Sequence, residues 1–199
     1  MSLGEARRPE TTRERYSQMA DAANPAFTAG AIAVPLLLPV LGYLSGDHRV
    51  MFTVHLFLGA FWFGTSVLGA VVLGPVMGGL PDEANEAFAE RFVPKMNVLM
   101  EPVSVGVVGS GIGLAAMMNM WQAPTTTLWI ALALAVALLA LGFGPLHWFT
   151  TEMFDELAAD DTDYDRLADL NQKYGMLSLV ELALMVAVVA TMSGLRWGI

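Results

Sequence analysis

The chain has 199 residues, of which 55% are hydrophobic and only 15% are charged, and its formal net charge is −9. This composition is too apolar for a soluble domain, and the apolar residues fall in long runs rather than at amphipathic spacing. The acidic balance argues against nucleic-acid binding, which needs basic patches. Cysteine is absent from the sequence, which excludes disulfides, thiolate metal sites and iron–sulfur clusters.

The chain begins with a polar segment and continues with apolar stretches. Residues 1–25 are polar and charged, without the apolar core of a secretory signal, and we interpret them as a cytoplasmic N-terminal segment. Five stretches then approach or exceed the about 20 residues needed to cross a bilayer: residues 26–45, 51–79, 98–120, 126–148 and 175–195. Residues 26–199 are therefore predicted to form a single polytopic transmembrane domain.

The connections between these stretches predict the architecture. The outer loops are very short, and short connections favour antiparallel neighbours, so we expect an all-α membrane protein with five transmembrane helices in an up-down bundle. The second loop has helix-forming composition, and Pro94 is expected to end or kink that helix. A short amphipathic helix is predicted at residues 164–170, on the cytoplasmic surface.

Basic residues predict the orientation of the bundle. All of them except Arg49 and Arg196 fall in the N-terminal flank, the second loop or the fourth loop. By the positive-inside rule the N-terminus is predicted to be cytoplasmic and the C-terminus outside, in the plasma membrane.

Acidic residues follow the same distribution. All of them except Asp47, Glu101 and Glu181 lie in the three predicted inner segments, and the chain has only two lysines. An acid-rich, lysine-poor surface stays hydrated at high ionic strength, so we interpret it as a sign of a halophilic source. An ordinary solvated acidic loop is the alternative.

A histidine stands near the outer end of the second span. His55 begins a stripe of small and polar residues at helical spacing, which predicts that it faces the bundle interior: Gly59, Trp62, Ser66 and Gly69. His48 shares this face if the helix extends upward, and a pair of imidazoles would suit copper or an axial haem iron. The alternative is a histidine that is hydrogen-bonded to a neighbouring helix.

Three more ionisable residues fall within predicted spans, where such groups are costly and often functional. Glu101, His147 and Glu181 lie on three different helices, all in the cytoplasmic half, and are expected to meet. A carboxylate–histidine–carboxylate cluster would relay protons or bind a hard or borderline cation. Alternatively, Glu101 and His147 extend to the inner headgroups, whereas Glu181 lies deeper and is the stronger candidate.

Several of these segments resemble a known superfamily of small membrane proteins. His55, Trp62 seven residues later, Gly64 and Pro75 near the end of the span resemble its first core helix. NVLMEPVSVGVVGSGIGLAA, GFGPLHWF and RLADLNQKYGMLSLVELALMVAV are similar to its later helices. The superfamily comprises copper-resistance protein D-like proteins and HemJ-type protoporphyrinogen oxidases, together with uncharacterised relatives, and the resemblance covers about residues 51–195.

The resemblance implies a fold and a cofactor. It implies a four-helix core, with the first span as an extra N-terminal helix, and it implies that His55 ligates haem b or copper. HemJ-type oxidases carry a lysine early in the third core helix, where TLWIALALAV has Trp129 and Ile130 instead. This difference argues against porphyrinogen oxidation.

Three functions are consistent with the sequence. The leading hypothesis is an integral membrane protein that binds haem or copper through His55, beside Trp62, with His48 as a further metal ligand, in redox chemistry or metal handling. The second is a proton- or cation-coupled small transporter that uses Glu101, His147 and Glu181. The third is a non-catalytic membrane subunit. Membrane lipid is the expected partner, and a homo-oligomer or a larger membrane complex stays open.

Overall fold

The computed structural model describes residues 11–159 and 162–197, and within these ranges the chain forms helices and turns, without a strand. Eight α-helices occur in these ranges: α1 Thr12–Ala23, α2 Pro25–Leu44, α3 His48–Val67, α4 Gly74–Met77, α5 Asp82–Met117, α6 Thr126–Leu141, α7 His147–Leu157 and α8 Tyr164–Trp197. Two π-helical segments, Leu68–Leu73 and Gly142–Leu146, connect α3 to α4 and α6 to α7.

Five helical segments of the described chain are long and apolar enough to cross a membrane: Pro25–Leu44, His48–Met77, Glu83–Met117, Thr126–Leu157 and Tyr164–Leu195. Their outer surfaces carry large exposed apolar side chains such as Leu44, Phe57 and Val136, as lipid contact requires. The predicted all-α membrane protein with five spanning helices is confirmed. The up-down order, the division into a four-helix core plus one helix, and the membrane orientation stay predictions.

Three spans extend well beyond their predicted ends, and one of them, the fourth, continues to Leu157 rather than ending near residue 148. Helix α5 begins at Asp82 and continues through Pro94 to Met117, and α8 begins at Tyr164 rather than near residue 175. The sequence predicted a helix in the second loop that Pro94 would end or kink; the helix forms, but it does not end at Pro94. A proline removes one backbone hydrogen bond, but Pro94 is fully buried, so packing holds the helix together on both sides of it.

Together with α1, these extensions build a helical layer at one end of the bundle. We call it the inner layer, and it consists of α1, the first part of α5 (residues 82–97), α7 and the start of α8 (residues 164–170). Thr11 and Glu14 form a capping box that begins α1. Met19 of α1 packs with Phe154 and Leu157 of α7 in a buried apolar cluster. The N-terminal segment thus contributes a packed helix, which its polar composition did not predict.

Helices α2 and α5 approach each other closely. Pro39 has no N–H group, so the carbonyl of Pro35 lacks its usual helical donor four residues ahead. Gly106 of α5 lies against this carbonyl, and a Cβ atom at that position would overlap the oxygen. A glycine in a membrane helix commonly serves such backbone contact, and here it fixes the depth at which α5 sits against its neighbours.

Candidate functional site

His55 contacts helix α5. Its Nδ1 atom lies 3.1 Å from the carbonyl oxygen of Val107 and 3.0 Å from Oγ of Ser110. Ser110 is fully buried, and its hydroxyl donates to the same Val107 carbonyl at 2.8 Å. The imidazole ring also lies against Gly111, where an added Cβ would come within 3.0 Å of Cε1. The absence of a side chain at Gly111 therefore makes room for the ring.

These contacts determine which nitrogen of His55 carries the proton. A carbonyl oxygen only accepts, so the contact with Val107 favours the neutral tautomer in which Nδ1 carries the proton, and the Ser110 hydroxyl can then donate to the same carbonyl. Among the described residues Nε2 has no hydrogen-bond partner. It therefore keeps a free lone pair inside the bundle.

His48 occupies a different environment from His55. It is exposed at the first position of α3, next to the N-cap residue Asp47. The seven residues between the two histidines correspond to about 10 Å along the helix. In the described part of the chain no group of three or more His, Asp or Glu side chains converges as a metal site.

Trp62 and Glu181 form a second polar pair, two helical turns along α3 from His55. The indole Nε1–H of Trp62 donates to Oε1 of Glu181 at 3.1 Å. Trp62 is only 5% exposed and belongs to a buried apolar cluster with Val103, Leu138 and Met185. The Glu181 carboxyl thus meets a hydrogen-bond donor beside an apolar cluster, and the phenol of Tyr174, on the same helix, lies near enough for the charge of Glu181 to act on it.

Glu101 and His147 form a third polar pair, to which α1 adds a tyrosine. Nδ1 of His147 lies 2.5 Å from Oε1 of Glu101, although the N–H direction is not aligned for a hydrogen bond. On the other side of the ring, the hydroxyl of Tyr16 lies 3.3 Å from Nε2. The two rings are stacked, with centroids 6.1 Å apart and planes 19° from parallel.

Sequence reasoning missed Tyr16, because it lies in the segment interpreted as a polar flank. One signal was present: Tyr16, Met19 and Ala23 are spaced three and four residues apart, which places them on one helix face. Met19 and Ala23 are both fully buried in the structure. That face is what docks α1 against the rest of the inner layer.

The phenol of Tyr16 is in a perturbed environment. Partial burial raises the pKa of Tyr16 above its ordinary value near 10, and the negative charge of Glu101 raises this pKa further, while Arg15 acts in the opposite direction. The hydroxyl is therefore protonated at neutral pH and is able to donate to the histidine ring.

The polar pairs lie at successive levels of the bundle. Trp62 lies seven residues after His55 along α3, a distance of about 10 Å. Glu101 lies nine residues before Ser110 along α5, a distance of about 14 Å in the same direction through the bundle. Leu58, which is 2% exposed, lies between the first two levels. Polar side chains thus recur through the length of an apolar bundle.

The expected three-residue cluster forms only in part. Glu101 and His147 come together, whereas Glu181 is hydrogen-bonded to Trp62. The reason is the way α8 packs: at Glu181 it lies against α3, while His147, at the first turn of α7, faces α5. The sequence placed all three residues in one half of the membrane but contained no information on which helix faces meet.

Comparison of the chain with protein-family models, with curated proteins and with solved structures finds no match in any of the three. The resemblance to the copper-resistance protein D-like superfamily therefore rests on the sequence motifs alone and stays a prediction.

Proposed function

We propose that this integral membrane protein moves protons, alone or coupled to a small solute, through the polar groups inside its bundle. The observation that carries this proposal is the pair formed by Glu181 and Trp62 within a membrane-spanning helix bundle. An acidic side chain at the centre of a membrane helix costs about 2.5–3.5 kcal/mol on insertion scales. Helix packing alone would be served better by an apolar residue.

The chemistry of the pair suits a proton carrier. The indole N–H can only donate, so it stabilises the carboxylate and still leaves the second carboxyl oxygen to take up a proton. A protonated Glu181 is neutral and compatible with its apolar neighbours, whereas the charged form keeps one charge-assisted hydrogen bond. The protonated and the charged form of Glu181 are therefore both partly stabilised, as a group that takes up and releases protons requires.

Further proton acceptors lie toward the inner layer. The pair of His147 and Glu101 follows Glu181 at the next level, and Tyr16 contacts the histidine from α1. Imidazole changes its charge near neutral pH and is the usual side chain for proton transfer. The series of polar groups supports a route between the interior of the bundle and the inner layer.

Proton flux into proteoliposomes tests the proposal. A potential is imposed across the liposome membrane and internal pH is followed with a trapped dye, for the wild type, Glu181→Gln and the control Glu83→Gln, which alters an exposed carboxylate of the inner layer. We expect flux above empty liposomes that Glu181→Gln eliminates and Glu83→Gln preserves. Wild-type flux in the Glu181→Gln protein would contradict the proposal.

One observation favours a second function, the binding of haem or copper at His55. Metal-ligating histidines usually donate their other ring N–H to a carbonyl or carboxylate, which fixes the tautomer. His55 makes this bond to Val107, and its Nε2 lone pair is free. One turn away, Met51 lines a groove of about 350 Å³ between α2, α3 and α5. The residues present at His55 thus fit one axial ligand.

Absorption spectra of the oxidised and reduced protein, with metal analysis on the same sample, test this second function. It predicts a Soret band or stoichiometric copper that His55→Ala removes and His48→Ala retains. A His55→Ala protein that remains fully loaded would exclude His55 as the ligand.

A further inference from the structure

The N-terminal helix α1 is anchored so that the partly exposed side chain of Tyr16 contacts the pair of Glu101 and His147, which we call the inner polar pair. The guanidinium of Arg15 binds Asp155 through two hydrogen bonds, at 3.0 Å from Nε and 2.5 Å from Nη2. Asp155 is only 6% exposed. On the same helix, Met19 is held in the apolar cluster with Phe154 and Leu157. These contacts on either side of Tyr16 restrict where its ring can lie.

We propose that Tyr16 is a positioning residue of the inner polar pair: its hydroxyl holds the neutral His147 ring in the tautomer whose proton is on Nδ1, next to the Glu101 carboxylate. The contact between the hydroxyl and Nε2 is 3.3 Å long, and the stacked rings keep the two groups together. A hydroxyl that donates to Nε2 requires a lone pair there, so the ring proton resides on Nδ1.

Glu101 favours the same tautomer, because a carboxylate oxygen repels a ring lone pair and attracts an N–H. Its oxygen is close to Nδ1, but the N–H direction is not that of a hydrogen bond. An unconstrained neutral imidazole prefers its proton on Nε2. We assign the rest of the selection to the Tyr16 hydroxyl, because it makes the hydrogen-bond contact with the ring, at Nε2.

The consequence for proton movement rests on the proposed function. With the proton on Nδ1, the ring takes up a proton from water on Nε2 as the Tyr16 hydroxyl turns away. It releases the Nδ1 proton to the Glu101 carboxylate once that N–H turns toward it, so Tyr16 keeps its own proton. Loss of the hydroxyl returns the ring to its preferred Nε2–H tautomer, and the fraction competent for transfer falls. The tautomer itself does not depend on transport.

The test is the nitrogen spectrum of ¹⁵N-histidine-labelled protein at a pH where the rings are neutral. The three histidine signals are assigned by single replacements, and the two ring nitrogens of His147 then report the tautomer directly. The proteins compared are the wild type, Tyr16→Phe, Glu101→Gln and the control Tyr164→Phe, which removes a hydroxyl bound to Glu86 in the same layer. Tyr16→Phe keeps the ring and the packing and removes only one oxygen.

We expect the Nδ1–H pattern in the wild type, in Glu101→Gln and in Tyr164→Phe, and loss of that pattern in Tyr16→Phe. Arg15→Gln, which releases the anchor beside Tyr16, should give a mixture of the two patterns. An Nδ1–H pattern that survives Tyr16→Phe and disappears in Glu101→Gln would overturn the proposal, since the carboxylate would then set the tautomer. If flux is absent from every protein but the patterns change as expected, only the proposed function fails.

Discussion

Replacement of Gly106 by alanine tests the backbone contact between α2 and α5. The added methyl group would overlap the Pro35 carbonyl oxygen, and it would also lie 3.1 Å from the carbonyl carbon and 3.2 Å from Cδ1 of Leu58. The leucine tip can rotate away, but the carbonyl belongs to the backbone of α2. Relief of the overlap therefore requires α2 and α5 to separate.

The size of the effect follows from the kind of overlap. Overpacking in a well-packed interior costs about 1–3 kcal/mol. The overlap here is with backbone, so we expect the upper part of that range, about 2–3 kcal/mol in the free energy of unfolding. Alanine is the better helix former by up to about 1 kcal/mol, which reduces the measured loss slightly.

Gly109 supplies the matched control. It lies on the same helix, and an added Cβ would meet nothing within 4 Å, so Gly109→Ala should be neutral or slightly stabilising. The measurement is reversible unfolding of both proteins by sodium dodecyl sulfate in mixed micelles, followed by circular dichroism. Equal stability of Gly106→Ala and the wild type would refute the close contact between α2 and α5.

Three further predictions concern the inner layer. Phe154→Ala removes a fully buried ring from the cluster with Met19 and should lower the unfolding free energy by about 3–5 kcal/mol, measured in the same assay. Arg15→Gln leaves the buried Asp155 carboxylate without its guanidinium and should lower the unfolding free energy by about 1–3 kcal/mol. Lys173→Gln, which breaks the exposed pair of Lys173 and Asp169, should change it by less than about 0.5 kcal/mol. Equal effects of the two changes would contradict this ranking. The pKa of Tyr16 is raised on folding, so the contribution of its protonated phenol to the stability of the fold is fully present below the ordinary value near 10. This contribution is lost as the pH rises through the higher folded value. Limited proteolysis of α1 should therefore accelerate in that alkaline range in the wild type and not in Tyr16→Phe.

The spanning helices were predictable because their signal is long. Each apolar run of about 20 residues is unambiguous in composition, and the five runs correspond to the five spanning segments of the structure. Their inner ends were not predictable to the same degree. Residues 82–96 and 164–174 are polar, so hydropathy places them in loops, whereas helix propensity and packing in the inner layer continue α5 and α8 through them.

The polar interior was predicted as a set of residues but not as a set of pairs. The cost of an ionisable group in lipid singled out His55, Glu101, His147 and Glu181 without any knowledge of the fold. Their partners depend on which helix faces meet, and that is decided by backbone contacts such as the one at Gly106. The partner least accessible to sequence reasoning was Tyr16, since a short polar helix with one buried face is hard to distinguish from a solvated segment.

The most direct test of the central claim is an infrared difference spectrum of the protein in lipid between acidic and alkaline pH. If Glu181 exchanges a proton within the bundle, a protonated-carboxyl stretching band will be present at acidic pH and absent at alkaline pH. The band should disappear in Glu181→Gln, shift in Trp62→Phe because the indole hydrogen bond is lost, and remain unchanged in Glu83→Gln. A spectrum in which Glu181→Gln leaves every carboxyl band of the wild type in place would contradict the claim.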